Sequence, residues 1–354
     1  MKVLHVVAGG SRGGAETYCL DAIQALHALG VNQSVVCRAH PHYLEVLERL
    51  GIRHKVLDFN LWERLSGAGS AVIRRAIGEH SPDIVHAWMG RASSFMPADV
   101  QVPVLGWFGG YYDLKRFRHC DAFVGVTRDI RRRLIEESGC EDRCFVVHTF
   151  GTLQPQAAVS RSALRTPEGV PVVLLLSRMH RKKGVDTLLR AALALPDAYF
   201  WLAGDGPELA AYRRLADRLQ LAQRVRFLGW RTDRAALLNA ADICVLPSRY
   251  EPFGTVMAES WYAGVPLVAT RAAGAAQYVS DGVDGLLCEI DDAAGLARQL
   301  RRVIDDRELR QMLVENGRRT YAAQFSREVA TETLLETYRK CVGMGKRFGS
   351  LKAA

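Results

Sequence analysis

The chain reads as an α/β protein of two doubly wound parallel-sheet lobes facing across a cleft. Short apolar, β-branched runs alternate with longer amphipathic stretches from one end to the other, which is the pattern of βαβ units. The alternation breaks once, in a polar segment containing prolines, and then restarts. A length of 354 residues, at roughly 150 per domain, accommodates two lobes that each bury a core.

Taken in order, the first lobe offers the strands KVLHVVA, QSVVC, HKVLD, DIVHAW, VPVLGW, AFVGV and CFVVHT. The pause lies in GTLQPQAAVSRSALRTPEG, so 1–155 is expected to be an N-terminal lobe, 156–170 a linker and 171–325 a second lobe. The second lobe supplies PVVLLLS, YFWLAG, VRFLG, DICVLP, PLVAT and GLLCE. Helices are predicted over 293–304, 308–323 and about 327–341. The last, within 326–354, is expected to cross back to the first lobe and end in a basic tail. No internal repeat is present.

Composition narrows the function classes. Hydrophobic residues at 49% and charged residues at 24% describe a compact globular chain rather than a disordered one. No apolar run approaches the roughly 18 residues that span a bilayer, and MKVLHVVAGG is too short for a secretory signal. The chain is therefore expected to be cytoplasmic, with reduced, mostly buried cysteines rather than a disulfide scaffold. Cys140 and Cys144 are four apart, but no second pair at finger spacing follows, so no zinc site is expected. The net charge of +9 is concentrated: Arg339, Lys340, Lys346, Arg347 and Lys352 face no acid within the tail. Such a tail is either a solvated terminus or a contact for anionic lipid headgroups. With interleaved aromatics nearly absent, nucleic acid is the weaker partner.

In doubly wound sheets, ligands collect where strand carboxyl ends meet helix N-termini, because free N–H groups and the helix dipole favour anions there. After the first strand, GGSRGGAE carries Gly13 and Gly14, a turn that suits a phosphate, a sugar or plain chain reversal. Its register is wrong for G-x-G-x-x-G, and no acid ends the following strand, so a dinucleotide site is not expected. In SRMHRKKGVDTLL, Arg178 follows a strand and Lys183 precedes a helix, a placement that suits a pyrophosphate. LAGDGPEL brings Gly204 and Gly206, with Asp205 a candidate helix cap, and VRFLGW offers backbone groups at Gly229 and Trp230 to a base. In PSRYEPFGTVMAESWYAGVP, Glu251 lies before a predicted helix and Glu259 within it, with Phe253, Gly254 and Thr255 between. Carboxylates suit vicinal diols, since each oxygen accepts a separate hydroxyl. One glutamate is expected to take sugar hydroxyls and the other those of a ribose.

These segments, with AADICVLPS, resemble retaining glycosyltransferases of the GT-B fold in the group called family 4, marked by an E-x7-E element. The match spans nearly the whole chain in the family's order. The resemblance implies two Rossmann-like lobes and a catalytic set of Glu251, Arg178 and Lys183. Glu251 would touch the donor sugar, Glu259 the ribose, and Arg178 and Lys183 the diphosphate. One element departs: where the family commonly has a histidine after the fifth strand, VPVLGWFGGYYDLKRF places Gly109. Tyr111, Tyr112 or Asp113 are candidates to fill that role. His86 matches another family histidine and fits either an acceptor contact or a satisfied core residue.

AWMGRASSF and GWFGGYYDLKRFRHCDAFVGVT are similar to the sub-group that adds sugars, often mannose, to the inner core of bacterial lipopolysaccharide. Arg12, Arg91, Lys115, Arg116 and Arg118 would then meet an anionic glycolipid acceptor at the inner face of the cytoplasmic membrane. No cofactor is expected. A nucleoside diphosphate sugar serves as co-substrate, GDP-mannose being favoured and UDP-glucose an alternative, and no Asp-x-Asp element calls for a metal. The rival readings are an exopolysaccharide or capsule glycosyltransferase, a nucleotide-sugar epimerase and a non-catalytic nucleotide-sugar binder.

Overall fold

A computed structural model describes residues 1–9, 14–150 and 153–346. They form two compact units, Met1–Thr149 with Arg327–Ala354, and Phe150–Ser326.

The first unit is built on strands β1 (Lys2–Val7), β2 (Asn32–Cys37), β3 (Arg53–Val56), β4 (Ile84–Trp88), β5 (Val104–Phe108), β6 (Ala122–Gly125) and β7 (Cys144–Val146). All pair in parallel in the order β3-β2-β1-β4-β5-β6-β7. Helices α1 (Gly14–Ala28), α2 (Pro41–Arg49), α3 (Leu61–Leu65), α4 (Ala68–His80), α5 (Met89–Ser93) and α6 (Arg128–Ser138) connect them. The central strands β4, β5 and β6 are buried at every residue, which is why they read as continuous apolar runs rather than as an alternation. Helix ends follow local chemistry. The Thr127 hydroxyl accepts from the Ile130 amide at 3.1 Å to start α6, and Gly139, at φ +67°, ends it in the left-handed conformation.

The second unit repeats the plan with β8 (Val172–Leu176), β9 (Tyr199–Ala203), β10 (Val225–Gly229), β11 (Ile243–Leu246), β12 (Leu267–Thr270) and β13 (Leu286–Cys288), ordered β10-β9-β8-β11-β12-β13. Its helices are α7 (Val185–Ala191), α8 (Leu209–Arg218), α9 (Arg234–Ala240), α10 (Thr255–Ala263), α11 (Ala273–Tyr278), α12 (Ala293–Asp305) and α13 (Arg307–Gln324). Val173, Leu175, Phe200, Leu202, Val245 and Leu296 are among the buried residues of its core. Asp292 and Asp306 cap α12 and α13 by accepting the amides of Gly295 and Leu309.

Each predicted strand is present, and each sheet reverses its order at one point, β1/β4 in the first and β8/β11 in the second. Loops leaving the carboxyl ends of two such strands diverge to opposite sides, which opens a crevice between them.

The expected linker at 156–170 is instead folded onto the second unit. Val159 donates to the Ala236 carbonyl at 3.1 Å, Arg161 pairs with Asp242 at 3.0 Å, and Trp201 donates to the Thr166 hydroxyl at 2.9 Å. Apolar and guanidinium contacts outweigh the proline and serine signals there. The last helix, α14 (Arg327–Met344), joins the first unit. Beyond it Arg143 donates to the Gly345 carbonyl at 3.1 Å, and Lys346 pairs with Asp121 at 2.7 Å. Of the basic tail, Lys346 is therefore held by a carboxylate, while Arg347 and Lys352 lie outside the described residues. Among the described residues no helix is long and apolar enough to cross a membrane.

Candidate active site

The switch point of the second sheet gathers the predicted chemistry. Behind β8 the chain turns through Arg178 to Lys183, and behind β11 it runs through Pro247 to Gly254 before entering α10. These two loops touch because Gly184 lacks a side chain: at φ +62° its Cβ position would lie 1.9 Å from the Pro247 carbonyl oxygen. The Lys182 carbonyl accepts from the amides of Arg249 at 2.8 Å and Tyr250 at 3.1 Å. Across this seam Lys183 Nζ meets Glu251 Oε2 at 2.5 Å, with the Ser248 hydroxyl 3.4 Å from the same oxygen. The lysine and glutamate side chains keep 24% and 18% of their surface exposed, so the pair is half sheltered yet reachable.

Gly254 is the N-cap of α10 at φ +89°. It has no capping side chain, and no acid occupies the first turn. The amides of Thr255 and Val256 are thus left without an intrahelical acceptor, one turn from Glu251. A charge-bearing lysine, a carboxylate and a bare helix N-terminus at one strand end can hold an anion and a hydroxyl side by side. Arg178 is exposed on the β8 side, and among the described residues no carboxylate pairs with it.

Glu259 is far more enclosed than Glu251. Its side chain is 1% exposed and Oε1 is taken by Arg234 of α9. Oε2 is buried with no hydrogen-bond partner among the described residues. Burial pushes this carboxyl up, opposed by the Arg234 guanidinium. Arg234 shares Oε1, and Oε2 is the oxygen that no group in the described residues uses. Phe253 is corrected: its ring is buried against Tyr278 and Phe325, anchoring the loop rather than facing a ligand. The Gly204 amide donates to the Gly229 carbonyl at 2.7 Å, and a Cβ there would collide with the Ser177 carbonyl. Gly204 therefore seals strand ends together and has no amide to offer a nucleotide. Gly229, at φ +66° with open space around its Cα, stays accessible beside Trp230, which is 65% exposed. Asp205 caps the Gly206 amide at 2.7 Å within its own turn, and α8 begins later, at Leu209.

In the first unit the candidates separate. His86 is a core residue: fully buried, bonded through Nδ1 to the Tyr338 hydroxyl at 2.7 Å, it has no surface to offer an acceptor. Gly109 has a steric cause, since a Cβ would lie 2.2 Å from the Trp107 ring. Tyr111, Tyr112 and Asp113 follow β5 on one loop, and Lys115 lies in the short 3-10 helix Leu114–Phe117 that comes next. The Tyr111 hydroxyl donates to Asp129, and Asp113 accepts the Lys115 amide at 2.9 Å. Arg91, Lys115, Arg116 and Arg118 are exposed. Arg12 and Gly13 lie outside the described residues, and Gly14 opens α1. Among the described residues no cluster of His, Cys, Asp and Glu has metal-holding geometry.

Sequence reasoning missed Arg234, Ser248 and Arg249. Arg234 meets Glu259 and Arg249 meets Asp186 through the fold, where no local spacing marks the pairs, while Ser248 lies three residues before the Glu251 it faces.

Comparison with known proteins identifies the family. The family described as Glycosyl transferases group 1 matches residues 157–320, and Glycosyltransferase Family 4 matches residues 12–150. The lipopolysaccharide core biosynthesis glycosyltransferase LpsD of Rhizobium meliloti is 33% identical over 351 residues, covering 98% of this chain and 100% of its own length. LpsE of the same organism is 34% identical over 343 residues, covering 95% and 98%. Among solved structures, Anabaena Alr3699/HepE in complex with UDP and glucose superposes with a TM-score of 0.80 at 24% identity, over 96% of this chain and 99% of that one. The chain belongs to the family 4 type of GT-B glycosyltransferases.

Proposed function

We propose that this chain transfers a hexose, mannose in the first instance, from a nucleoside diphosphate sugar to a lipopolysaccharide inner-core acceptor, with retention at the anomeric carbon and without a metal. The lipopolysaccharide assignment is supported by similarity to LpsD and LpsE over nearly full length. GDP-mannose is the favoured donor. UDP-glucose is the alternative, because Alr3699/HepE has been solved with it.

The observation that carries the reading is the Lys183–Glu251 pair at the β8/β11 switch point, beside the uncapped start of α10. Lys183, the exposed Arg178 and the α10 amides would take the diphosphate and stabilise its charge as the sugar leaves. Glu251 would accept a sugar hydroxyl and orient the anomeric carbon. The acceptor attacks from the same face, its proton passing to the departing diphosphate, so positioning and charge stabilisation supply the catalysis. Exposed Arg91, Lys115, Arg116 and Arg118 would meet an anionic acceptor at the inner membrane face.

A thermal-shift panel of nucleotide sugars tests the donor, since a ligand that binds only the native state raises its melting temperature. With the donor named, Glu251→Ala is expected to lower transfer at least about a hundredfold while the melting temperature holds. Full activity in that variant overturns the site. Donor interconversion without transfer favours an epimerase, and binding without turnover favours a non-catalytic binder.

A further inference from the structure

Two residues before Glu251, Arg249 makes more contacts than any catalytic candidate. Its Nη1 donates to Asp186 Oδ1 at 2.9 Å and to the Arg181 carbonyl at 2.7 Å. Nη2 donates to Asp186 Oδ2 at 2.7 Å and reaches the Thr187 hydroxyl at 3.4 Å. Nε lies 2.7 Å from Asp291 Oδ1, which also accepts from the Thr187 hydroxyl at 3.1 Å. All five guanidinium N–H groups thus face an acceptor. Those acceptors lie in three separate places: the turn that carries Lys183, the first turn of α7, and the segment ahead of α12.

The arrangement is specific in several independent ways. A forked guanidinium on a carboxylate fixes orientation as well as distance, which a lysine cannot reproduce. Hydrogen bonds to Asp186 and then Asp291 hold its pKa above that of an ordinary guanidinium. Asp291 sits at φ +65°, in the left-handed region that aspartate adopts more readily than most side-chain-bearing residues. The backbone agrees: Arg249 and Tyr250 both donate to the Lys182 carbonyl, Lys182 Nζ lies 4.5 Å from the Tyr250 ring centroid, and Gly184 presses on Pro247. Lys183 and Glu251 are 68 residues apart and stand on different loops. The backbone seam and the β8/β11 pairing bring the two loops together, and the Arg249 side chain adds the bonds that fix the Lys183 turn against the Glu251 loop.

We propose that Arg249 is a positioning residue, which through Asp186 and Asp291 locks the Lys183 turn to the Glu251 loop and sets the spacing at which diphosphate and sugar are gripped. The proposal rests on the donor-site reading above. It makes the clamp matter for the diphosphate–sugar part of the donor and not for the nucleoside, for which Gly229 and the exposed Trp230 are the candidates.

The test is calorimetric binding of UMP, UDP-glucose, GMP and GDP-mannose to wild type, Arg249→Met and Asp186→Asn, with circular dichroism and melting temperature alongside. For the base that binds wild type, the monophosphate is expected to keep its dissociation constant within about twofold in both variants. The diphosphate sugar is expected to weaken at least about tenfold, about 1.4 kcal/mol. Arg249→Lys should fall between, since it keeps the charge without the fork. Asp186→Asn preserves size and carries the test should Arg249→Met unfold. Equal weakening of both ligands, or no weakening of either, in a folded variant overturns the clamp alone. Failure of wild type to bind either sugar nucleotide overturns the donor reading, and the clamp's role with it.

Discussion

Acidification is expected to loosen the first unit through one histidine in particular. His5, on β1, is fully buried; Trp88 Nε1 donates to its Nδ1 at 3.1 Å, and its Nε2 lies 2.9 Å from Gln33 Oε1. These neighbours fix the neutral tautomer with the proton on Nε2, and a second proton on Nδ1 would point at the Trp88 N–H. Burial pulls the His5 pKa from 6.5 to about 4, with a Gln33 hydrogen bond opposing it and His80 adding to the drop. The unfolded chain takes up a proton near 6.5 while the fold refuses one until about 4. The contribution is therefore complete above 6.5 and lost progressively as pH falls toward 4. At roughly 1.4 kcal/mol per pH unit, the loss from this side chain reaches about 3 kcal/mol. His86, lowered further by burial and by His5, adds in the same direction. The assay is native-state hydrogen exchange of β1 and β4 peptides between about pH 7 and pH 5, corrected for intrinsic exchange, in wild type and His5→Gln. Opening free energy in wild type should fall more steeply, by up to ~1.4 kcal/mol per pH unit, than in the variant. Parallel slopes would refute the reasoning, because a histidine that titrates alike folded and unfolded cannot link pH to stability.

Two further outcomes follow from the site and its neighbour. Gly109→His restores the family's usual residue but drives a Cβ into the Trp107 ring, which already packs on Trp88 and Tyr18. It should lose about 1–3 kcal/mol, read as a melting temperature lower by about 2–4 °C per kcal/mol, and an unchanged melting temperature would mean that Trp107 yields. Adding a chelator is expected to leave transfer unchanged if Lys183, Arg178 and the α10 amides carry the diphosphate charge. A steep loss, restored by a divalent cation, would contradict the proposed metal independence.

The architecture was readable because parallel strands buried on both faces leave continuous apolar runs, and VVLLL and ICVL have no other easy reading. The Lys183 and Glu251 loops were readable for a related reason: glycines and charges at strand ends mark where a doubly wound sheet binds ligands. What escaped depends on residues distant in sequence. Glu259 appears beside Glu251 in the chain, yet its environment is set by Arg234, 25 positions earlier, and by burial that no local pattern reveals. Gly204 looks like a ligand glycine from its turn, but its amide is spent on Gly229. His86 matched a family histidine, while the hydroxyl that bonds its Nδ1 in the core comes from Tyr338, 252 positions away.

The two glutamates that share one sequence element therefore play unlike physical parts. Glu251 stands on an irregular loop, keeps part of its surface, and faces a lysine from another strand end, so under the proposed function a diphosphate would compete for that lysine and free a carboxylate oxygen for a hydroxyl. Glu259 stands on the regular turns of α10, where the helix geometry that follows Gly254 turns it inward against Arg234. A buried carboxylate with one counter-charge and one empty oxygen is costly to keep. Such a cost persists where a partner offsets it, and a ribose hydroxyl donating to Oε2 would do so, making nucleotide binding and relief of that unsatisfied oxygen one event.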